Sequence, residues 1–223
     1  VGWFARTPEM LQRVGACYFG EPQVAQPRLL VARDAFAIPE PSIGQTLLPI
    51  ALGLDGAGTT SLFPNGIDEW IDTFRPIQLF DLWATLGAWS LEPGRRMSRS
   101  IAERMELARS IGPDQAMPAT LRRAELSRRM ADLLGADGVL VIPTAHDLPP
   151  RCSMGSDTLD AFREKTLALT CVASLARLPQ LNIPATMIDG CPVGLSFIAG
   201  PGQDELLLSI AGHWAAQMPV GRS

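Results

Sequence analysis

Lysine is almost missing from this chain of 223 residues: Lys165 stands alone among 19 basic side chains, and histidine occurs only twice. The arginine bias reads as codon usage in a GC-rich genome and carries no function. A basic surface is missing too. The net charge is −4, whereas phosphate neutralisation needs clustered positive charge, so nucleic acid is excluded as a partner. No apolar run approaches the roughly 20 residues of a membrane-spanning helix; Gly138-Val-Leu-Val-Ile-Pro143 is typical and far shorter. No membrane partner is therefore expected. Cys17, Cys152, Cys171 and Cys191 contain no C-x-x-C pair and have no histidine at ligand spacing, which argues against zinc. Without a secretion signal they read as reduced thiols in a cytoplasmic protein. No low-complexity linker, repeat or charge block divides the sequence, and it opens on Val1 rather than Met, which predicts processing or a fragment.

What is present is a hydrophobic content of 47%, enough for a substantial core. Thr7-Pro8-Glu9 is a helix start, with a hydroxyl cap, proline at the first position and an acid in the first turn. Arg28-Leu-Leu-Val-Ala32 predicts a buried strand. Residues 41–52 predict a helix that stops at Gly53, and Ser61-Leu-Phe63 a short strand. Asp68-Glu69 opens the longest helical pattern, which runs to about Leu91 and which Pro76 should kink or divide. Further helices are predicted over 101–110, 118–134, 156–175 and 203–217, with a strand at Val139-Leu-Val-Ile142. Strands alternating with helices indicate an α/β layered domain around a largely buried sheet.

The last third is the most specific. Leu178-Pro-Gln-Leu-Asn-Ile-Pro184 and Asp189-Gly-Cys-Pro-Val-Gly-Leu-Ser-Phe-Ile-Ala-Gly-Pro-Gly-Gln-Asp204-Glu-Leu-Leu-Leu208 read as two strands joined by a tight turn, then a capped helix. Asp189-Gly190 between apolar runs is a type I′ hairpin signal, because both central positions need positive φ. Gly194 within a strand marks close backbone approach or a bulge. Gly200-Pro-Gly202 lacks the lysine and spacing of a phosphate loop and reads as a turn.

This block resembles the C-terminal end of the amidase signature family, serine-dependent hydrolases of carboxamides. Val1-Gly-Trp-Phe-Ala-Arg6, Val139-Leu-Val-Ile-Pro-Thr144 and Thr166-Leu-Ala-Leu-Thr-Cys171 extend the likeness along the chain, closest to the compact subgroup that includes indole-acetamide hydrolases. The resemblance implies an α/β fold with a mixed β-sheet covered by helices. In it residues 1–223 are the C-terminal portion of a single, incomplete amidase-like domain. It implies a small-molecule amide substrate, hydrolysed to carboxylate and ammonia through an acyl-serine, with no metal or organic cofactor. The family's two serines, lysine base and Gly-Ser-Ser-rich oxyanion loop have no counterpart. The chain holds no Ser-Ser dipeptide, and Lys165 lies mid-helix among Arg163, Glu164 and Thr166. No catalytic residue is assigned, and the nucleophile is expected in a missing N-terminal half, attached or separate. A sheet cut in mid-domain exposes an edge, which favours association with that half or with a second copy.

The substrate-binding candidates are Trp89, Thr144 and Cys171. Trp89 ends the aromatic series Trp70, Phe74, Phe80, Trp83; Thr144 ends a strand; Cys171 faces a helix–corner junction in the resembling family. Two rival readings stand beside these: a non-catalytic remnant or subunit that binds a partner or small ligand, and a cysteine hydrolase built on His146 and Cys152, six residues apart. Arg122, Arg123, Arg128 and Arg129 are expected on a solvated helix face.

Overall fold

Residues 2–19 and 27–218 are described by a computed structural model. Val1, the first residue of the likeness above, lies outside them. Five strands form one mixed sheet in the order β2-β1-β3-β5-β4. β1 (Arg28–Ala32) pairs in parallel with β2 (Ala57–Thr60) and with β3 (Gly138–Pro143). β5 (Cys191–Ala199) runs antiparallel to both β3 and β4 (Gln180–Ile188).

The chain's handedness explains the layers. The connection from β1 to β2 carries α2 (Pro41–Leu52) and steps one way along the sheet. The connection from β2 to β3 carries α3 (Asp68–Ser90), α4 (Arg99–Arg109) and α5 (Pro113–Leu134), and steps back past β1. Right-handed crossovers in opposite directions put their helices on opposite faces. Accordingly α2 and α7 (Asp204–Gln217) bury Ile43, Leu47, Leu207, Ile210 and Trp214 against Leu29, Val31, Val139, Val141 and Phe197 on one face. On the other, α3, α5 and α6 (Ser156–Ala176) bury Trp70, Leu126, Met130, Leu169 and Val172 against Leu30, Leu140, Ile142 and Ile198. Every residue of β3 is buried, as a central strand covered on both sides requires. α1 (Pro8–Phe19) closes on α7 through Gln12, whose amide donates to the Leu208 carbonyl at 2.6 Å.

Local signals read from the sequence hold at several points. Thr7 Oγ1 accepts from the Met10 N–H at 3.3 Å, and Gly53 caps α2. The β4–β5 turn has φ of 50° at Asp189 and 75° at Gly190, the left-handed pair that the Asp-Gly sequence favours. At Gly194 a Cβ would come within 2.8 Å of the Ile183 carbonyl oxygen, so the strands meet there only because no side chain intervenes.

One expectation is corrected and two are narrowed. Pro76 sits inside α3, which runs on from Asp68 to Ser90, so it does not divide the helix. Ser61-Leu-Phe63 is not a strand but a loop wrapped around Asp34, while the strand lies just before it at Ala57–Thr60. The arginines of α5 stay on a solvated face, Arg122 and Arg128 exposed and Arg123 and Arg129 partly so, and Arg122 and Arg129 also reach across to Glu69 of α3 at 3.1 and 2.8 Å.

Candidate functional site

After β1 the chain turns to one face of the sheet, and after β3 it turns to the other. Loops that diverge from neighbouring parallel strands leave a crevice at the strands' carboxyl ends, where open α/β sheets bind ligands. At this switch point Asp34 and Glu40 follow β1, and Thr144, His146 and Asp147 follow β3.

Thr144 opens a polar quartet. By strand alternation Thr144, Ser196, Asn182 and Gln180 lie on the same face as Leu140, Ile142 and Ile198. That face is apolar under α6 and changes abruptly to polar beyond it. Ser196, wholly buried, is the hub. Its Oγ lies 2.7 Å from Asn182 Oδ1, 3.0 Å from Thr144 Oγ1 and 3.0 Å from Gln180 Nε2, and Gln180 Nε2 also donates to Asn182 Oδ1 at 2.9 Å. A serine has one proton to give. The shorter contact takes it, so Ser196 donates to Asn182, and Thr144 donates to Ser196. This leaves the exposed Asn182 with its amide hydrogens and Thr144 with acceptor lone pairs, both without a side-chain partner among the described residues. The Thr144 N–H donates to the Gly194 carbonyl at 3.0 Å, which fixes the strand end.

Beside the quartet His146 is almost fully buried, its ring 4.6 Å from Phe162 and its Nδ1 2.9 Å from Thr166 Oγ1 of α6. Desolvation lowers its pKa, with Lys165 pushing the same way and Asp147 and Glu40 opposing. Burial therefore favours the neutral imidazole in the fold. Ligand atoms of Glu40, His146 and Asp147 lie within 4.8 Å of one another, a donor set that suits a divalent cation. The Lys165 ammonium already pairs with Glu40 at 3.1 Å and neutralises one of the two carboxylates. Nearby, Asp34 accepts hydrogen bonds from the N–H groups of Ala35, Leu62 and Phe63 and from the Ser61 hydroxyl, at 2.6 to 3.0 Å.

The three predicted pocket residues do not come together. Thr144 sits at the crevice. Cys171 is core: it is 1% exposed, packs with Leu169 and Val172, and burial pushes its thiol up to about 12. Trp89 is on the outside of α3, 40% exposed under the Arg95 guanidinium. It lies roughly 28 Å along the helix axis from Trp70, the member of the aromatic series that packs with Ile142. Nor does the Cys–His couple form: His146 bonds Thr166, and the exposed Cys152 has no contact with it among the described hydrogen bonds. Lys165 is a paired helix residue, not a free base. The members that sequence reasoning missed are Ser196, Asn182 and Gln180. Their signal was polarity at three same-face positions of otherwise apolar strands.

Along the free edge of β4 runs a groove of about 700 Å³, walled by the segment from Gly2 to Pro8 and by α7, with Trp3, Phe4, Gln180, Asn182 and Pro184 on its surface. No helix among the described residues is long and apolar enough to cross a membrane.

Comparison with known proteins places these features in context. The model of the Amidase family matches residues 74–208. Among curated proteins, "Amidase 1" of Arabidopsis thaliana is 25% identical over 97% of this chain and 59% of its own length. "Translocon at the outer membrane of chloroplasts 64" of Pisum sativum is 27% identical over 93% of this chain and 40% of its own. A crystal structure of an amidase superimposes with a TM-score of 0.78 over 96% of this chain at 18% identity, and this chain covers 52% of it. The chain thus spans about half the length of the proteins it matches.

Proposed function

The chain belongs to the Amidase family, and from that membership we propose that it is the C-terminal part of an enzyme hydrolysing a small carboxamide to a carboxylate and ammonia. The nucleophile and base lie outside these 223 residues. The observation that carries the reading is the quartet's leftover hydrogen-bonding capacity: donor hydrogens on Asn182 and acceptor lone pairs on Thr144, two residues that share Ser196 as a hydrogen-bond partner. A carboxamide presents the complement, one carbonyl acceptor and N–H donors. A site that pairs both discriminates against the corresponding acid or ester, because mispaired polar groups there lose their partners. In this reading R–CO–NH₂ and water give R–COO⁻ and NH₄⁺ through an acyl-serine formed on the other half, while this chain holds and orients the amide. Four unpaired cysteines support the cytosol as its proposed compartment.

Ammonia release from a panel of small carboxamides, phenylacetamide and indole-acetamide among them, tests it. The chain alone is expected to release none above background. Together with a Gly-Ser-Ser-bearing segment encoded upstream of Val1 it is expected to turn over, and Thr144→Val is expected to raise KM more than it lowers kcat. Turnover by the chain alone that disappears on a point substitution would sink the proposal. A second reading, a non-catalytic subunit or remnant, is favoured by the pea relative, which is named as a translocon component. Binding of amide by the chain without turnover in any combination would select it.

A further inference from the structure

We propose that the open edge of β4 is a seam at which a strand from the remaining half of the amidase fold joins this sheet; this rests on the reading above. The hydrogen-bond phase of the ladder identifies the groups involved. The Ala199 N–H donates to the Pro179 carbonyl at 3.2 Å, and in an antiparallel ladder inward-bonded residues alternate. The register Leu181↔Phe197 and Ile183↔Leu195 therefore turns the backbone groups of Leu181 and Ile183 to β5. Gln180 and Asn182 turn theirs to the open side, each offering an N–H and a C=O. Pro184 offers only its carbonyl, and the register shift between Pro184 and Thr186 ends the regular edge. The seam is thus five backbone groups on three alternate residues, about 14 Å of strand.

Three observations select the occupant. This chain fits along 96% of its own length to an amidase of which it covers only 52%, so the uncovered part is of domain-half size and requires a broad contact. The opposite edge, β2, has four residues against nine in β4. The β4 edge opens into the groove of about 700 Å³, where Phe4 is fully exposed and Trp3 and Leu208 add apolar wall. Unpaired strand edges next to apolar walls are the surface that added strands use.

The same edge carries Gln180 and Asn182, members of the polar quartet. Pairing of their backbones therefore orients their side chains, which couples assembly of the two halves to the shape of the amide site.

Hydrogen–deuterium exchange tests the seam, on the 223-residue chain alone and on the chain with the segment encoded upstream of Val1. The Gln180 and Asn182 amides are expected to exchange freely in the first sample and at least 100-fold more slowly in the second. Leu181 and Ile183 are expected to be protected in both. Asn182→Pro, which removes an outward N–H, is expected to weaken the complex at least tenfold more than Asn182→Ala, which gives up the same side-chain bonds to Ser196 and Gln180 but keeps that N–H. A complex whose formation leaves 180 and 182 unprotected overturns the seam but not the proposed enzyme. Failure of any complex to form overturns both. Protection already present in the chain alone, lost on dilution and in Asn182→Pro, assigns the edge to a second copy and overturns the proposal.

Discussion

Asn in place of Asp34 is the sharpest test of how the crevice is held. Asp34 joins the end of β1 to the loop 61–63 that follows β2, a pairing of segments almost thirty residues apart. Oδ1 accepts from the Ala35 and Leu62 N–H groups at 3.0 Å each; Oδ2 accepts from the Phe63 N–H at 2.7 Å and the Ser61 hydroxyl at 2.6 Å. In Asp34→Asn the amide nitrogen takes the less damaging position, that of Oδ2, because a serine hydroxyl can rotate from donor to acceptor. The Phe63 N–H has no such freedom. It faces another donor, and Phe63 is buried. One charge-assisted bond is lost and one backbone donor is orphaned, which costs about 2–3 kcal/mol. Asp34 is only half-buried, so water takes up part of this and the lower end applies.

Acid gives an independent readout. Desolvation raises the Asp34 pKa, and the hydrogen bonds from Leu62, Ser61, Phe63 and Ala35 together outweigh it, holding the carboxyl below its usual value. A depressed folded pKa means that the unfolded chain takes up the proton first. The stabilisation is complete above the unfolded value of about 3.9 and is lost as pH falls through the lower, folded value. Urea melts at pH 6 should show the variant about 2 kcal/mol less stable, and thermal melts a midpoint roughly 4–8 °C lower. Between pH 4 and 3 the gap should narrow. A variant within 0.5 kcal/mol of the parent at pH 6, with a parallel acid limb, would refute the account of the loop.

Three further outcomes are expected. Gly194→Ala forces a Cβ against the Ile183 carbonyl and the Thr144 hydroxyl; strand shifts of this kind cost roughly 1–3 kcal/mol, and calorimetry showing no loss would contradict the close approach. His146, with its pKa lowered first by desolvation, resists protonation in the fold, so stability should fall as pH drops below the unfolded value of about 6.5. His146→Gln, which titrates nowhere, should flatten that limb, and equal slopes in parent and variant would count against the burial argument. Thiol labelling with a disulfide reagent at pH 8 should modify Cys17 and Cys152 quickly, Cys191 more slowly and Cys171 only on unfolding; early labelling of Cys171 in folded protein would show that its surroundings open.

The elements that were legible in the sequence are those written in adjacent residues. Thr7-Pro8-Glu9, Gly53 and Asp189-Gly190 act on the backbone within a turn, and each does in the structure what its chemistry predicts. The central strand was legible for a different reason: a Val-Leu-Val-Ile run has nowhere to go but a sheet covered on both faces. Ser61-Leu-Phe63 looked like a strand because its residues are good strand formers. Its N–H groups are claimed by Asp34, a partner that no local window contains. The pairing of the solvated Arg122 and Arg129 with Glu69 was hidden for the same reason, since Glu69 lies some fifty to sixty positions earlier.

The site was half legible, and the half that was missed follows from sheet geometry. Thr144 could be singled out because a polar residue ends an apolar strand. Its partners Ser196, Asn182 and Gln180 come from two later strands and look like ordinary interruptions of apolar runs when each is read alone. The register of β3, β5 and β4 turns those interruptions into one patch. Burying a serine completely on a face otherwise made of Leu140, Ile142 and Ile198 is unfavourable unless its hydrogen bonds are all made. An apolar residue would be cheaper to bury if packing were the whole requirement. That the chain instead builds a satisfied polar hub on β5, between Thr144 of β3 and Gln180 and Asn182 of β4, marks this patch as one that packing alone does not account for.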